Sequence, residues 1–168
     1  MRELLLFLLI SCGTEPVQPP APVPDEPGFT PIEGASPSLR LDGRFAEGLT
    51  VDILADGLGP VFGIAGRLAF DPLHLRVESA ELSPDLLPDS ASLIRTESSA
   101  IAFGIARRGA SLGDAPLAGQ LLATVRFTPL REGDSQLSIE RAMVRRADGS
   151  FVPAAFLGAE LHTIGGTP

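Results

Sequence analysis

The 168-residue chain has no Lys, Asn, Trp or Tyr, and a single Cys. All thirteen of its basic side chains are Arg. Each absence closes a door. Without Trp or Tyr there is no indole or phenol to stack on a sugar ring or a base. One Cys excludes a disulfide within the chain and a cysteine-built zinc site. Twenty-one acids against thirteen bases leave a net charge of −8, the wrong sign for a phosphate backbone. Long apolar runs are also missing. The longest N-terminal one, Leu4–Ile10, is far short of the roughly 20 residues that span a bilayer. The length suits one domain with appendages.

That short run has another meaning. Arg2 precedes it and Ser11-Cys12-Gly13 follows it, the order of a secretory signal: basic start, apolar core, small residues. Leu9-Ile10-Ser11-Cys12 resembles the lipobox of bacterial lipoprotein signal peptides. The resemblance implies cleavage before Cys12 and a lipidated Cys12 as the mature N-terminus. Two or more acyl chains would make a stable anchor where one does not. Gly13, rather than Asp, after the Cys favours the outer membrane by similarity to enterobacterial sorting. The expected location is the cell envelope, facing the periplasm or the surface.

Gly13–Pro37 holds eight of the sixteen prolines, four acids and no base. Such a segment buries too little apolar surface to fold and favours extended polyproline II. The expected organisation is therefore a signal peptide over 1–11, a lipidated Cys12 and disordered Pro-rich linker over 12–37, and a folded domain over 38–168.

The domain reads as all-β. Period-two alternation places Leu49, Val51 and Ile53 on one face; Phe62, Ile64, Leu68 and Phe70; Ile101, Phe103 and Ile105; and Leu121, Ala123, Val125 and Phe127. Leu39–Leu41, Arg76–Leu82, Ser92–Thr96, Leu137–Ile139 and Ala159–Ile164 complete about nine strands. Turn signals separate them at Asp56-Gly57, Asp71-Pro72, Ser83-Pro84, Glu132-Gly133-Asp134 and Asp148-Gly149. Half-apolar strands need a second sheet, so a two-sheet sandwich is expected. Its seven Phe from Phe45 to Phe156 would help fill the core, with Phe45 and Phe156 outside the clear strands.

Three stretches share one resemblance. Phe70-Asp71-Pro72-Leu73-His74-Leu75-Arg76-Val77 resembles the aromatic-Asp-Pro-x-x-Leu-x-Val turn of cohesin domains, carried here by Phe70, Asp71, Pro72 and Leu75. Leu49–Ile53 is similar to the second cohesin strand. Leu122–Phe127, followed by Gly133 and Leu137–Ile139, is similar to a later strand and its return. The resemblance implies a nine-stranded jelly-roll sandwich and a non-catalytic adaptor whose partner is a dockerin, a small calcium-loaded helical module. It implies a docking face on strands three, five and six. Parity puts Gly63, Ala65, Arg67, Ala102, Gly104 and Ala106 there, with either Ser92, Ile94 and Thr96 or Leu93 and Arg95. Gly63 and Ala65 depart from the polar side chains usual on that face. The alternatives are a carbohydrate-binding module on the same architecture and a purely structural envelope lipoprotein.

The catalytic patterns in the sequence lack the context they need. Gly109–Gly113 matches G-x-S-x-G, and Ser111, Asp134 or Asp148, and His162 follow a hydrolase order. However, the motif works at a strand-to-helix turn, and Pro116 forbids a useful helix. Asp85 and Asp89 show no cleft. His74 and His162 read as surface residues, and Arg107-Arg108 and Arg145-Arg146 as solvated turns. No cofactor is expected. A calcium site of loop carboxylates and carbonyls stays open.

Overall fold

The computed structural model describes residues 26–59, 61–86, 90–107 and 119–164. The signal segment, Cys12, the first half of the Pro-rich stretch, Asp89, Arg108 and the whole Gly109–Gly113 motif lie outside them.

Among the described residues eleven strands form two sheets: β1 (Gly28–Pro31), β2 (Ser38–Ala46), β3 (Gly48–Asp56), β4 (Gly63–Ala69), β5 (Leu75–Leu82), β6 (Ser90–Thr96), β7 (Ala100–Arg107), β8 (Gln120–Pro129), β9 (Gly133–Arg145), β10 (Ala155–Phe156) and β11 (Ala159–Thr163). The only helical element among the described residues is a 3-10 turn at Pro84–Leu86. One sheet runs β1-β11-β9-β4-β7-β6 and the other β10-β2-β3-β8-β5. The nine expected strands are all present; β1 and β10 are short additions at sheet edges.

The inner faces meet as the alternation requires. Leu39, Leu41, Leu49, Val51, Ile53, Val125 and Phe127 of one sheet pack against Ile64, Leu68, Ile101, Phe103, Leu137 and Leu161 of the other. Each such side chain contributes about 1.5–3 kcal/mol by leaving water. Phe70 meets Phe127 edge-on, with ring centroids 5.3 Å apart. The β2–β3 hairpin closes at Gly48, whose φ of 112° suits glycine alone. A Cβ there would also press on the carbonyl oxygen of Phe127 at 2.9 Å.

Three expectations need correction. The linker does not run to Pro37: Gly28–Pro31 pairs antiparallel with β11, and Phe29 packs on the core. An edge strand asks little of its outer side, so Pro31 is tolerated at its end. The parity of β8 breaks at a bulge. Ile53 faces Ala123 while Leu54 faces Leu121, so Leu122 is the extra residue and is buried, leaving Leu121 half-covered. Finally, Phe62, Phe151 and Phe156 are exposed, so fewer than half of the seven Phe sit fully in the core.

Candidate functional site

The Asp71-Pro72 turn is built as its residues predict. The Asp71 carboxylate accepts the Leu73 N–H at 2.9 Å and lies 2.8 Å from Nδ1 of His74. The Asp71 carbonyl accepts from the His74 and Leu75 amides. The Leu73 bond, then the His74 contact, hold the Asp71 carboxyl below its usual range. Phe70 and Leu75 plug the turn into the core. Its role is structural: it returns β4 of one sheet into β5 of the other.

The two outer faces of the sandwich differ in kind. On the five-stranded sheet, Arg44 pairs with Asp52 at 3.0 Å, Thr124 Oγ1 donates to Asp52 at 2.6 Å, and Thr128 donates to Glu78. That surface is polar and cross-linked, as expected of a solvated face.

The six-stranded sheet is different. Across β9, β4, β7 and β6 one row reads Arg145, Gly63, Ala106, Ala91. The next reads Met143, Ala65, Gly104, Leu93, and the third Glu140, Arg67, Ala102, Arg95. All six expected face residues thus occupy facing positions on two neighbouring strands. The register also chooses Leu93 and Arg95, not Ser92, Ile94 and Thr96, as their neighbours on β6.

Gly63, Ala65, Gly104 and Ala106 floor a trough of about 380 Å³. Phe62 and Met143 wall one side and Leu93 the other. The walls stand on strands three spacings apart, or about 14 Å. Met143 is 47% exposed and Leu93 61%. Of the twelve lining residues only Ser92 and Arg145 have polar side chains. The Arg145 guanidinium lies 5.9 Å from the Phe151 ring centroid, and its Nε donates to the Gly149 carbonyl at 3.1 Å. Arg67 and Ala102 sit beyond the trough's end. Arg67 is tied to Glu97 in an ion pair and is only partly free for a partner.

Phe62, Met143, Phe151 and Arg145 were not anticipated as face residues. Met143 and Arg145 reach this surface through a bulge in β9: Ala65 faces Met143, but Arg67 faces Glu140, leaving one extra residue in β9. Arg141 carries it at φ 48°. Gly66 lies opposite, where a Cβ would come 3.2 Å from Ala142 Cβ. Lone Arg141 and Gly66 were the signal. Parity expects Phe62 in the core, but it precedes β4 and turns outward.

The histidines are paired within the fold. His162 Nδ1 lies 2.7 Å from Asp134 Oδ1 across β11 and β9. Asp148 accepts the Ser150 N–H at 2.8 Å within its own turn, which lowers its pKa. Among the described residues no group of three or more His, Cys, Asp or Glu is placed to hold a metal ion.

No protein-family model and no curated protein sequence matches the chain. Solved structures do. A cohesin module from a Clostridium perfringens family 33 glycoside hydrolase is 12% identical, with a TM-score of 0.60 over 82% of this chain and 98% of that one. A type II cohesin domain from the Acetivibrio cellulolyticus cellulosome is 16% identical, with a TM-score of 0.56 over 73% and 92%. A non-cellulosomal cohesin from the archaeon Archaeoglobus fulgidus is 21% identical, with a TM-score of 0.52 over 76% and 84%. The strand count, the two-sheet architecture and these likenesses agree: the chain has the cohesin fold.

Proposed function

We propose that this chain is a non-catalytic docking module, held at the cell envelope by lipid on Cys12, that receives a partner protein on the outer face of its six-stranded sheet. The observation that carries the reading is the trough. One outer face carries the Arg44–Asp52 ion pair and side-chain hydrogen bonds, while the other keeps an open apolar floor between Met143 and Leu93. Exposed apolar concavities with a polar rim mark interaction surfaces. Similar folds include structures described as cohesin–dockerin complexes, from Clostridium thermocellum among others. A dockerin-type module is therefore the first partner class to test.

The test uses the full chain as Cys12→Ser, immobilised and exposed to an extract of its own organism, with calcium or with a chelator. A parallel column carries Ala65→Arg as well. The reading expects a protein with a dockerin-like repeat that is retained with calcium and lost on both the chelator and the Ala65→Arg columns. Equal retention on the Ala65→Arg column would refute docking in the trough. The anchor has its own assay: Cys12→Ser should move the protein from the membrane to the soluble fraction.

A further inference from the structure

A sandwich of two open sheets has four edges, and here three are protected. β1 is four residues long and ends on Pro31. β10 has two residues. β5 carries Arg76, Glu78 and Glu81, and a bulge at Glu78 interrupts its register with β8. Short length, proline, charge and bulges are the devices that stop edges from pairing with other chains. The fourth edge, β6, has no proline and no bulge, and Arg95 is its one charge. Ser90-Ala91-Ser92-Leu93-Ile94-Arg95-Thr96 contains no Pro, no acid and one Arg, and pairs with β7 in unbroken register over all seven residues. Most of it is exposed.

The ladder shows which groups that edge offers. The Glu97 N–H donates to the Ala100 carbonyl, and the Arg107 N–H to the Phe62 carbonyl. Antiparallel ladders alternate. Residues 91, 93 and 95 therefore turn their backbone groups toward β7, and residues 92, 94 and 96 turn theirs outward. Laid antiparallel on a second copy about a two-fold axis at Leu93, the strand matches itself. Ser92 meets Ile94 on either side of the axis, each pair made of outward-facing backbone groups, for up to about four hydrogen bonds. On the outer face Arg95 meets Ala91, so no like charges oppose, and Leu93 meets Leu93 in the closer, non-bonded type of pair.

We infer that the β6 edge joins two copies of this chain into one continuous twelve-stranded sheet. Both troughs then open on the same side and adjoin through the paired Leu93 side chains.

Sedimentation equilibrium on the full chain as Cys12→Ser tests this. A concentration-dependent dimer is expected. Ser92→Pro removes an outward N–H without touching the β7 ladder and should weaken the dimer at least tenfold; Ser92→Ala should not. Leu93→Glu alone and Leu93→Lys alone should each be monomeric, while an equimolar mixture of the two should dimerise. The mixture reads the Leu93 register directly and does not depend on the proline variant folding. A monomer at every concentration, or a dimer that Ser92→Pro, Leu93→Glu and Leu93→Lys all leave intact, overturns the inference. The trough reading survives either result, because docking is scored by Ala65→Arg on a different strand.

Discussion

Gly66 of β4 and Phe103 of β7 lie opposite each other with no room for a methyl group between them: a Cβ at residue 66 would sit 2.9 Å from Phe103 Cζ. The same Cβ would crowd Ala142, the partner strand's residue at the β9 bulge. Gly66→Ala should destabilise the fold by about 1–3 kcal/mol, the usual cost of overpacking. Because the bulge sets the position of Met143, partner binding should weaken as well. Urea unfolding and a binding titration on the same variant check both.

The chain's folded unit begins before residue 38. Phe29 packs against the core, and a Cβ on Gly43 would overlap its ring. Phe29→Ala should cost about 1–3 kcal/mol, below the full price of a core aromatic because the ring is only half-buried. A chain starting at residue 38 should melt several degrees below one starting at residue 26. Equal melting temperatures would make β1 ornamental.

The trough floor can be filled without harming the fold. A Cβ on Gly104 meets only Ala65 Cβ, at 3.9 Å. Ala65→Arg and Gly104→Arg should each leave the melting temperature nearly unchanged and reduce partner affinity by about tenfold or more, as blocked interface centres do. Arg126→Glu, on the opposite outer face beside Thr50, should leave affinity unchanged.

Asp71 makes stability depend on acid. Its folded pKa lies below 3.8, first through the Leu73 N–H and then through His74. A depressed carboxylate stabilises the fold fully above its unfolded value and loses that contribution as pH falls through the folded one. Asp71→Asn should therefore melt below the parent at pH 6, with the gap closing below about pH 3.8. Paired melting curves from pH 6 to pH 2.5 measure it. A gap that stays constant would assign the turn's contribution to the neutral hydrogen bond alone.

The sequence made the sandwich readable because alternation survives wherever a strand is straight. Leu49, Val51 and Ile53, or Ile101, Phe103 and Ile105, fall inward in strict period two. The small-residue floor was readable for the same reason, since β4 and β7 pair without interruption. The walls were hidden by irregularity. Met143 and Arg145 face outward only because β9 gains a residue near Arg141, and Leu122 displaces Leu121 from the core through a similar slip. β1 was hidden by its prolines, which dominate the composition of the stretch around it. What decides its state is not local propensity but a vacant edge on β11 and a glycine at position 43 that admits Phe29.

The direction of β1 also bears on mechanics. Gly28 sits level with His162 and Asp134, while the trough row of Arg145 and Gly63 lies at the far end of β9, about 35 Å along the strand. Were the chain tethered and docked as proposed, tension would enter at one pole and leave at the other, parallel to the strands. The β1–β11 hydrogen bonds would then be loaded together in shear rather than opened one after another. The Phe29 ring, seated over Gly43, would act as a catch against sliding. A four-residue edge strand would thus become the first element to resist pull.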